Sequence, residues 1–218
     1  MSTNFYNSLC GKSGRPGAIP FVHAALASVV RKGAFVVDAT AGNGYDTLHL
    51  ARLTAPGGNV LAFDIQPSAL DATRKRCADC DSRIETVLRC HSAMQDRNFR
   101  DQWPARPAAV VFNLGYLPGG DKTLITSAET TLAALGGALE WLAPDGIITI
   151  VCYPGHTGGE LETSAVERWA ASLASETHTV CRFSIPNTRR PAPLALLVGK
   201  PSSLTEAKPK EGPAHQPR

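Results

Sequence analysis

The stretch Phe35-Val36-Val37-Asp38-Ala39-Thr40-Ala41-Gly42-Asn43-Gly44-Tyr45-Asp46-Thr47 leaves few folds open to this chain. A short apolar run ends in an acid, a Gly-x-Gly turn follows, and an apolar-periodic segment starts at once with Leu48, Leu50, Ala51 and Leu53. That pattern is a buried strand feeding a helix through a turn where backbone passes close to a ligand. Gly42 and Gly44 carry no Cβ, so the turn can take dihedrals closed to other residues and let a cofactor approach the main chain. A second apolar strand, Val60-Leu61-Ala62-Phe63, ends in Asp64, twenty residues after Gly44. An acid there is placed to accept hydrogen bonds from a ribose diol. The combination predicts a nucleoside-cofactor site.

Two cofactors compete for such a site. A dinucleotide fold wants Gly-x-Gly-x-x-Gly, with its pyrophosphate on the helix N-terminus. Here Thr47 stands at the third glycine position, and Asp46 would set a negative charge beside that diphosphate. S-adenosylmethionine instead carries a sulfonium and an ammonium, and both favour acids such as Asp38 and Asp46. The acids decide for S-adenosylmethionine.

Alternating strands and helices predict an α/β fold with a mostly parallel sheet and right-handed crossovers. A helix is expected from Pro20 to Val30. Strands are expected at Phe35–Val37, Val60–Asp64, Thr86–Leu88, Ala108–Phe112, Ile147–Cys152, Thr179–Ile185 and Leu194–Val198. Helices are expected at Tyr45–Leu53, from Pro67 to Cys77, from Thr123 to Leu142 on the Ala128, Leu132, Leu135, Leu139, Leu142 stripe, and from Glu160 to Leu173. The last two strands have no helix between them, so they form an antiparallel hairpin at the sheet edge, in contrast to a dinucleotide sheet. The expectation is a Rossmann-like fold of seven strands with helices on both faces.

The 218 residues and 43% hydrophobic content suit one such domain, taken as 16–200. Residues 1–15 read as a flexible leader. The tail, 201–218, is rich in Pro, Lys and Glu and reads as disordered. A net charge of +3 and a pI near 8.6 agree with a nucleic-acid substrate without requiring one. No apolar run is long enough to span a bilayer, and the start lacks a signal-peptide pattern, so a cytoplasmic location is expected.

Six cysteines raise zinc and disulfides as readings. Cys77 and Cys80 form the single close pair, with no second pair at metal-ligand spacing. Cys90, Cys152 and Cys181 lie in or beside apolar strands and read as small core residues. No metal is expected.

Four segments together resemble one small bacterial family. They are Asp38–Thr47, Phe63-Asp64-Ile65-Gln66, the block from Phe112 through Asn113-Leu114-Gly115-Tyr116-Leu117-Pro118 to Lys122, and the run Tyr153–Glu160. The resemblance runs from Pro20 to Lys200. The family comprises class I S-adenosylmethionine-dependent methyltransferases labelled rRNA methylases. Its members are also described as tRNA methyltransferases acting on 5-aminomethyl-2-thiouridine at wobble position 34.

The resemblance implies cofactor contacts from Asp38, Thr40, Gly42, Asn43, Gly44 and Asp46, with Asn43 and Asp46 at the methionine end. It also implies that Asp64 and Gln66 hold the ribose and the adenine edge, and that His91 and Ser92 contact adenine. Read from sequence alone, His91 could equally cap a helix or face water, and Ser92 could be an N-cap. His23 reads as packing or as making a local hydrogen bond.

The loop after strand four stands where amino-methylating enzymes carry an Asn/Asp-Pro-Pro-aromatic sequence. Asn113 can hydrogen-bond an amine and Tyr116 can stack on a flipped base. A Gly/Pro-rich turn with a satisfied Asn is the plain alternative. His156, in Pro154-Gly155-His156-Thr157, sits at the carboxyl edge where open sheets bind ligands. It is a candidate contact for substrate or phosphate, or an ordinary loop histidine. Asn113, Tyr116 and His156 are thus the expected catalytic group, and the anticodon stem-loop of tRNA is the expected partner. An rRNA, DNA or small-molecule methyltransferase and a non-catalytic cofactor-binding module stand as alternatives. The oligomeric state, the tRNAs read and any general base are left open by sequence.

Overall fold

The computed structural model describes residues 9–11, 14–103, 105–119 and 124–201. Most of the expected leader and tail, together with residues 120–122 of the Asn113 block and residue 123, therefore lies outside the described residues.

Among the described residues, one sheet contains seven strands: β1 (Phe35–Asp38), β2 (Asn59–Asp64), β3 (Arg83–Leu88), β4 (Ala109–Asn113), β5 (Ile147–Cys152), β6 (Thr179–Phe183) and β7 (Leu194–Gly199). Their order is β3-β2-β1-β4-β5-β7-β6. The first five run parallel, while β7 is antiparallel to both β5 and β6. The expected mixed sheet and its terminal antiparallel hairpin are present. The final strand slots in beside β5, so β6 forms the outer edge.

Central strands read as unbroken apolar runs because both faces are covered. Alternate residues go to opposite sides. Val37, Val110, Phe112, Ile148 and Ile150 join one buried cluster. Val36, Val60, Val111 and Val151 join the other. Helices α1 (Ala18–Val29) and α2 (Tyr45–Thr54) cover the second face through Val22, Leu26, Leu50 and Ala51. Helices α5 (Ala128–Trp141) and α6 (Gly159–Ala171) cover the first through Leu135, Ala138, Val166 and Ala170. Between β2 and β3 runs α3 (Pro67–Arg76), and a 3-10 turn (His91–Gln95) and the short α4 (Arg97–Arg100) follow β3.

Three sequence expectations are corrected. The long helix starts at Ala128, five residues after Thr123, because Ser127 caps it by accepting from the Thr130 amide. Ile125, ahead of that cap, is extended and bridges Tyr116. The first helix begins at Ala18, and Pro20 falls inside its first turn, where a missing N–H costs nothing. Cys181 is exposed, because β6 is the edge strand and four of its five residues face water. Cys152 is buried as expected, and burial pushes its thiol up to about 12.

Candidate functional site

A cleft of about 850 Å³ opens at the carboxyl ends of β1, β2 and β4, a volume suited to a nucleoside-sized ligand plus part of an acceptor. The loop after β1 forms its floor. Gly44 adopts φ 78°, and a Cβ there would lie 2.7 Å from Thr73 Cα on α3. Glycine is thus required both by backbone angle and by close helix approach. The Gly42 carbonyl accepts from Thr73 Oγ1 at 3.2 Å, which ties the turn to α3.

Asp64 ends β2 and lines the cleft. Its Oδ2 accepts from the Gly42 amide at 2.9 Å and its Oδ1 from the Gln66 amide at 2.9 Å. Each carboxylate oxygen has a second lone pair, so two diol hydroxyls can still be accepted. Gln66 and Thr40 line the same cleft. Asn43 does too, and its Nδ2 donates to the Pro118 carbonyl at 3.1 Å, joining the glycine turn to the loop after β4.

Asp38 sits beneath the turn and off the cleft wall. It is completely buried, accepting from the Thr40 amide at 3.1 Å and from Thr47 Oγ1 at 2.6 Å. Burial, followed by the nearby Asp46, pushes its carboxyl up to about 7. Its place in the structure is to brace the loop. Ser92 lies half-buried in the 3-10 turn, also off the cleft wall.

His91 is buried and lines the cleft, its ring edge-on to Phe112. Its Nδ1 stands 3.3 Å from the Ala39 carbonyl, while Nε2 has no protein partner. Desolvation lowers its pKa, so the ring is neutral. A buried ring nitrogen without a partner suits a polar base edge in the cleft.

Asp46, from the first turn of α2, faces the cleft with both oxygens engaged. Oδ1 is 2.7 Å from His23 Nε2, and Oδ2 accepts from Asn113 Nδ2 at 3.0 Å. His23 was expected to make at most a local bond; instead it bridges 23 residues from α1 to α2. The Asn113 backbone amide donates to Thr40 Oγ1 at 2.8 Å, and its side chain meets the Tyr153 hydroxyl. Tyr153 is driven up to about 12, mainly by burial, so its phenol stays protonated.

Tyr116 is 42% exposed at the cleft mouth, and His156 stands edge-on to it with centroids 5.8 Å apart. Asn113, Tyr116 and His156 therefore share one wall. Behind them, Glu162 accepts from Thr126 and Thr131 Oγ1, each at 2.7 Å, and Thr126 Oγ1 accepts from the Gly115 amide. This buried brace was missed in the sequence, where Glu162 reads as one acid on a polar helix face. Tyr153 was missed too, although it directly follows β5 at the same carboxyl edge that singled out His156. Among the described residues no cluster of His, Cys, Asp or Glu could hold a metal, and no helix is long and apolar enough to cross a membrane.

Residues 60–199 match the family described as "Putative rRNA methylase". Over 203 residues the chain is 36% identical to the chloroplastic tRNA (mnm(5)s(2)U34)-methyltransferase of Arabidopsis thaliana, covering 86% of this chain and 70% of that protein. A crystal structure from Clostridium thermocellum, carrying the same rRNA-methylase description, is 34% identical with a TM-score of 0.79, over 84% of this chain and 97% of that one. A protein from Streptococcus mutans, described as a methyltransferase and solved in complex with SAH, is 31% identical with a TM-score of 0.74, over the same shares.

Proposed function

The chain belongs to the rRNA-methylase family of class I S-adenosylmethionine-dependent methyltransferases, and from that premise we propose that it N-methylates the aminomethyl group of 5-aminomethyl-2-thiouridine at tRNA position 34. The observation that carries this reading is the Asn113–Tyr116 wall beside the glycine turn. It offers an amide to an amine and an exposed ring to a base, within one cleft. The relative in Arabidopsis, named for that same modification, supports the choice of nucleoside.

The residues present fit the cofactor. Asp64 has lone pairs for a diol, His91 offers an unpartnered nitrogen to a base, and Asp46, which lines the cleft, suits a cationic donor. When bound, S-adenosylmethionine supplies a methyl group already activated on a positive sulfur. The protein therefore chiefly aligns the acceptor. An alkylammonium with a pKa of about 10.4 has no lone pair, so the site must take the neutral amine. Burial beside the wall disfavours the charged form. Asn113 Oδ1 accepts one amine N–H, and Tyr116 stacks the base at the mouth. Bases splayed from a single-stranded loop can reach such a mouth, whereas bases in a duplex cannot. Arg89 lines the cleft, while Arg31 and Lys32 precede β1 and stand at the opposite sheet edge. Phosphate contacts are accordingly expected from the cleft side.

The deciding assay is transfer of labelled methyl to tRNA bearing the aminomethyl group, compared with matched tRNA lacking it. Labelling should be confined to the first and weaken steeply with salt. Asn113→Ala and Tyr116→Ala should lower transfer while leaving cofactor affinity nearly intact. Equal labelling of both tRNAs, or of ribosomal RNA alone, would overturn the substrate.

A further inference from the structure

We infer that His23 is a positioning residue for the acceptor, acting through Asp46 on the side-chain amide of Asn113. The chain of contacts joins three separate elements, α1, α2 and β4: His23 Nε2 to Asp46 Oδ1 at 2.7 Å, then Asp46 Oδ2 to Asn113 Nδ2 at 3.0 Å. A carboxylate only accepts. His23 therefore presents an N–H at Nε2, and Asn113 turns its NH2 group toward Asp46. Both partners are sheltered, the side chains of His23 and Asp46 being 27% and 10% exposed.

His49 holds the His23 ring in place. The two imidazoles stack with centroids 3.9 Å apart and planes 8° from parallel. Desolvation, and then the charge of His23, lower His49 to about 4, so it stays neutral and adds no competing charge. Nothing in the methyl-transfer reading so far uses either histidine.

The consequence rests on that reading. With NH2 turned to Asp46, Oδ1 is the acceptor the amide presents to an amine. An amine that donates to Oδ1 keeps its lone pair for the methyl group. A flipped amide would donate to the amine instead and occupy the lone pair that must attack. An asparagine amide is nearly symmetric in shape, so its environment sets its orientation. His23, by fixing Asp46, sets it here.

The test uses full-length 15N-labelled protein carrying His23→Leu or His23→Gln. Gln can offer Asp46 a donor close to the position of Nε2, whereas Leu cannot. Side-chain amide signals of Asn113, identified by their loss in Asn113→Asp, should shift and exchange faster in His23→Leu and return in His23→Gln. Turnover on aminomethyl-bearing tRNA should fall about tenfold or more in His23→Leu, with cofactor affinity by calorimetry unchanged, and recover in His23→Gln. If His23→Leu does not fold, His23→Asn, whose donor is too short to reach Asp46, replaces it. Unmoved Asn113 signals, or cofactor affinity falling in step with turnover, would overturn the inference. Wild-type protein that methylates no aminomethyl-bearing tRNA would remove the substrate reading, while the Asn113 signals would still decide whether His23 orients the amide.

Discussion

Asp64 meets the Gly42 amide with one carboxylate oxygen and the Gln66 amide with the other. An asparagine has one oxygen, so Asp64→Asn would turn an NH2 group against one of those two donors. Asp64→Asn should therefore lose cofactor affinity nearly as far as Asp64→Ala. Each lost charge-assisted bond is worth about 1.5–3 kcal/mol, so a drop of about tenfold or more is expected in titration calorimetry. An Asp64→Asn protein that binds like the parent would mean the carboxylate holds neither turn nor ligand. The position of Asp64 was legible, because an acid ending a strand after a glycine turn has few other uses. The place of Asp38 was not. It shares that strand-end pattern, yet its side chain goes under the loop to Thr40 and Thr47, and an acid at a strand end does not say whether it turns into the cleft or beneath the loop. His23 escaped for a related reason, since its partner is 23 residues away on another helix.

Two adjacent glycines in α5 show how an element records its neighbour. A Cβ on Gly137 would strike the Met94 carbonyl and the Gln95 amide of the 3-10 turn, while a Cβ on Gly136 meets nothing within 4 Å. Alanine gains about 1 kcal/mol over glycine in a helix interior. Gly136→Ala should raise the urea midpoint by an amount of that order. Gly137→Ala should lower it, because separating a helix from packed backbone costs about 1–3 kcal/mol and outweighs the propensity gain. Equal effects of the two substitutions would contradict this packing. The helical stripe of α5 was legible as a period in Leu132, Leu135 and Leu139. The glycine pair was not, since it depends on the Met94 turn alongside, and the start at Ala128 was missed because the Ser127 cap and the Tyr116–Ile125 bridge ahead of it went unread.

The whole molecule carries two opposed proton balances. Asp38 is raised from 3.8 to about 7, first by burial and then by Asp46. Between those values the folded chain holds a proton that the unfolded chain has released. Its contribution to stability is full below 3.8 and gone once the pH passes about 7. His49, lowered from 6.5 to about 4, and His91, also lowered, act in the other direction. Below 6.5 the unfolded chain takes up protons that the folded chain refuses, so stability falls on acidification. Asp38→Asn should therefore expose the histidine loss and steepen the decline toward acid, by at most about 1.4 kcal/mol per pH unit. Urea unfolding across this range would read it, and an Asp38→Asn curve parallel to the parent would show that Asp38 does not titrate there. At this scale the sheet itself was the most legible part, because buried parallel strands must be apolar on both faces. What the composition could not tell was which basic residues face the cleft.

The place of β7 between β5 and β6 also bears on how the protein is made. Synthesis proceeds from the N-terminus, so β5 and β6 leave the ribosome with no strand to join them. Every cleft-lining residue up to His156 is then already present, yet the hydrogen-bonding edge of β5 stays open until residues 194–199 arrive. A translation pause before that point would leave β5 able to pair with another chain's edge strand.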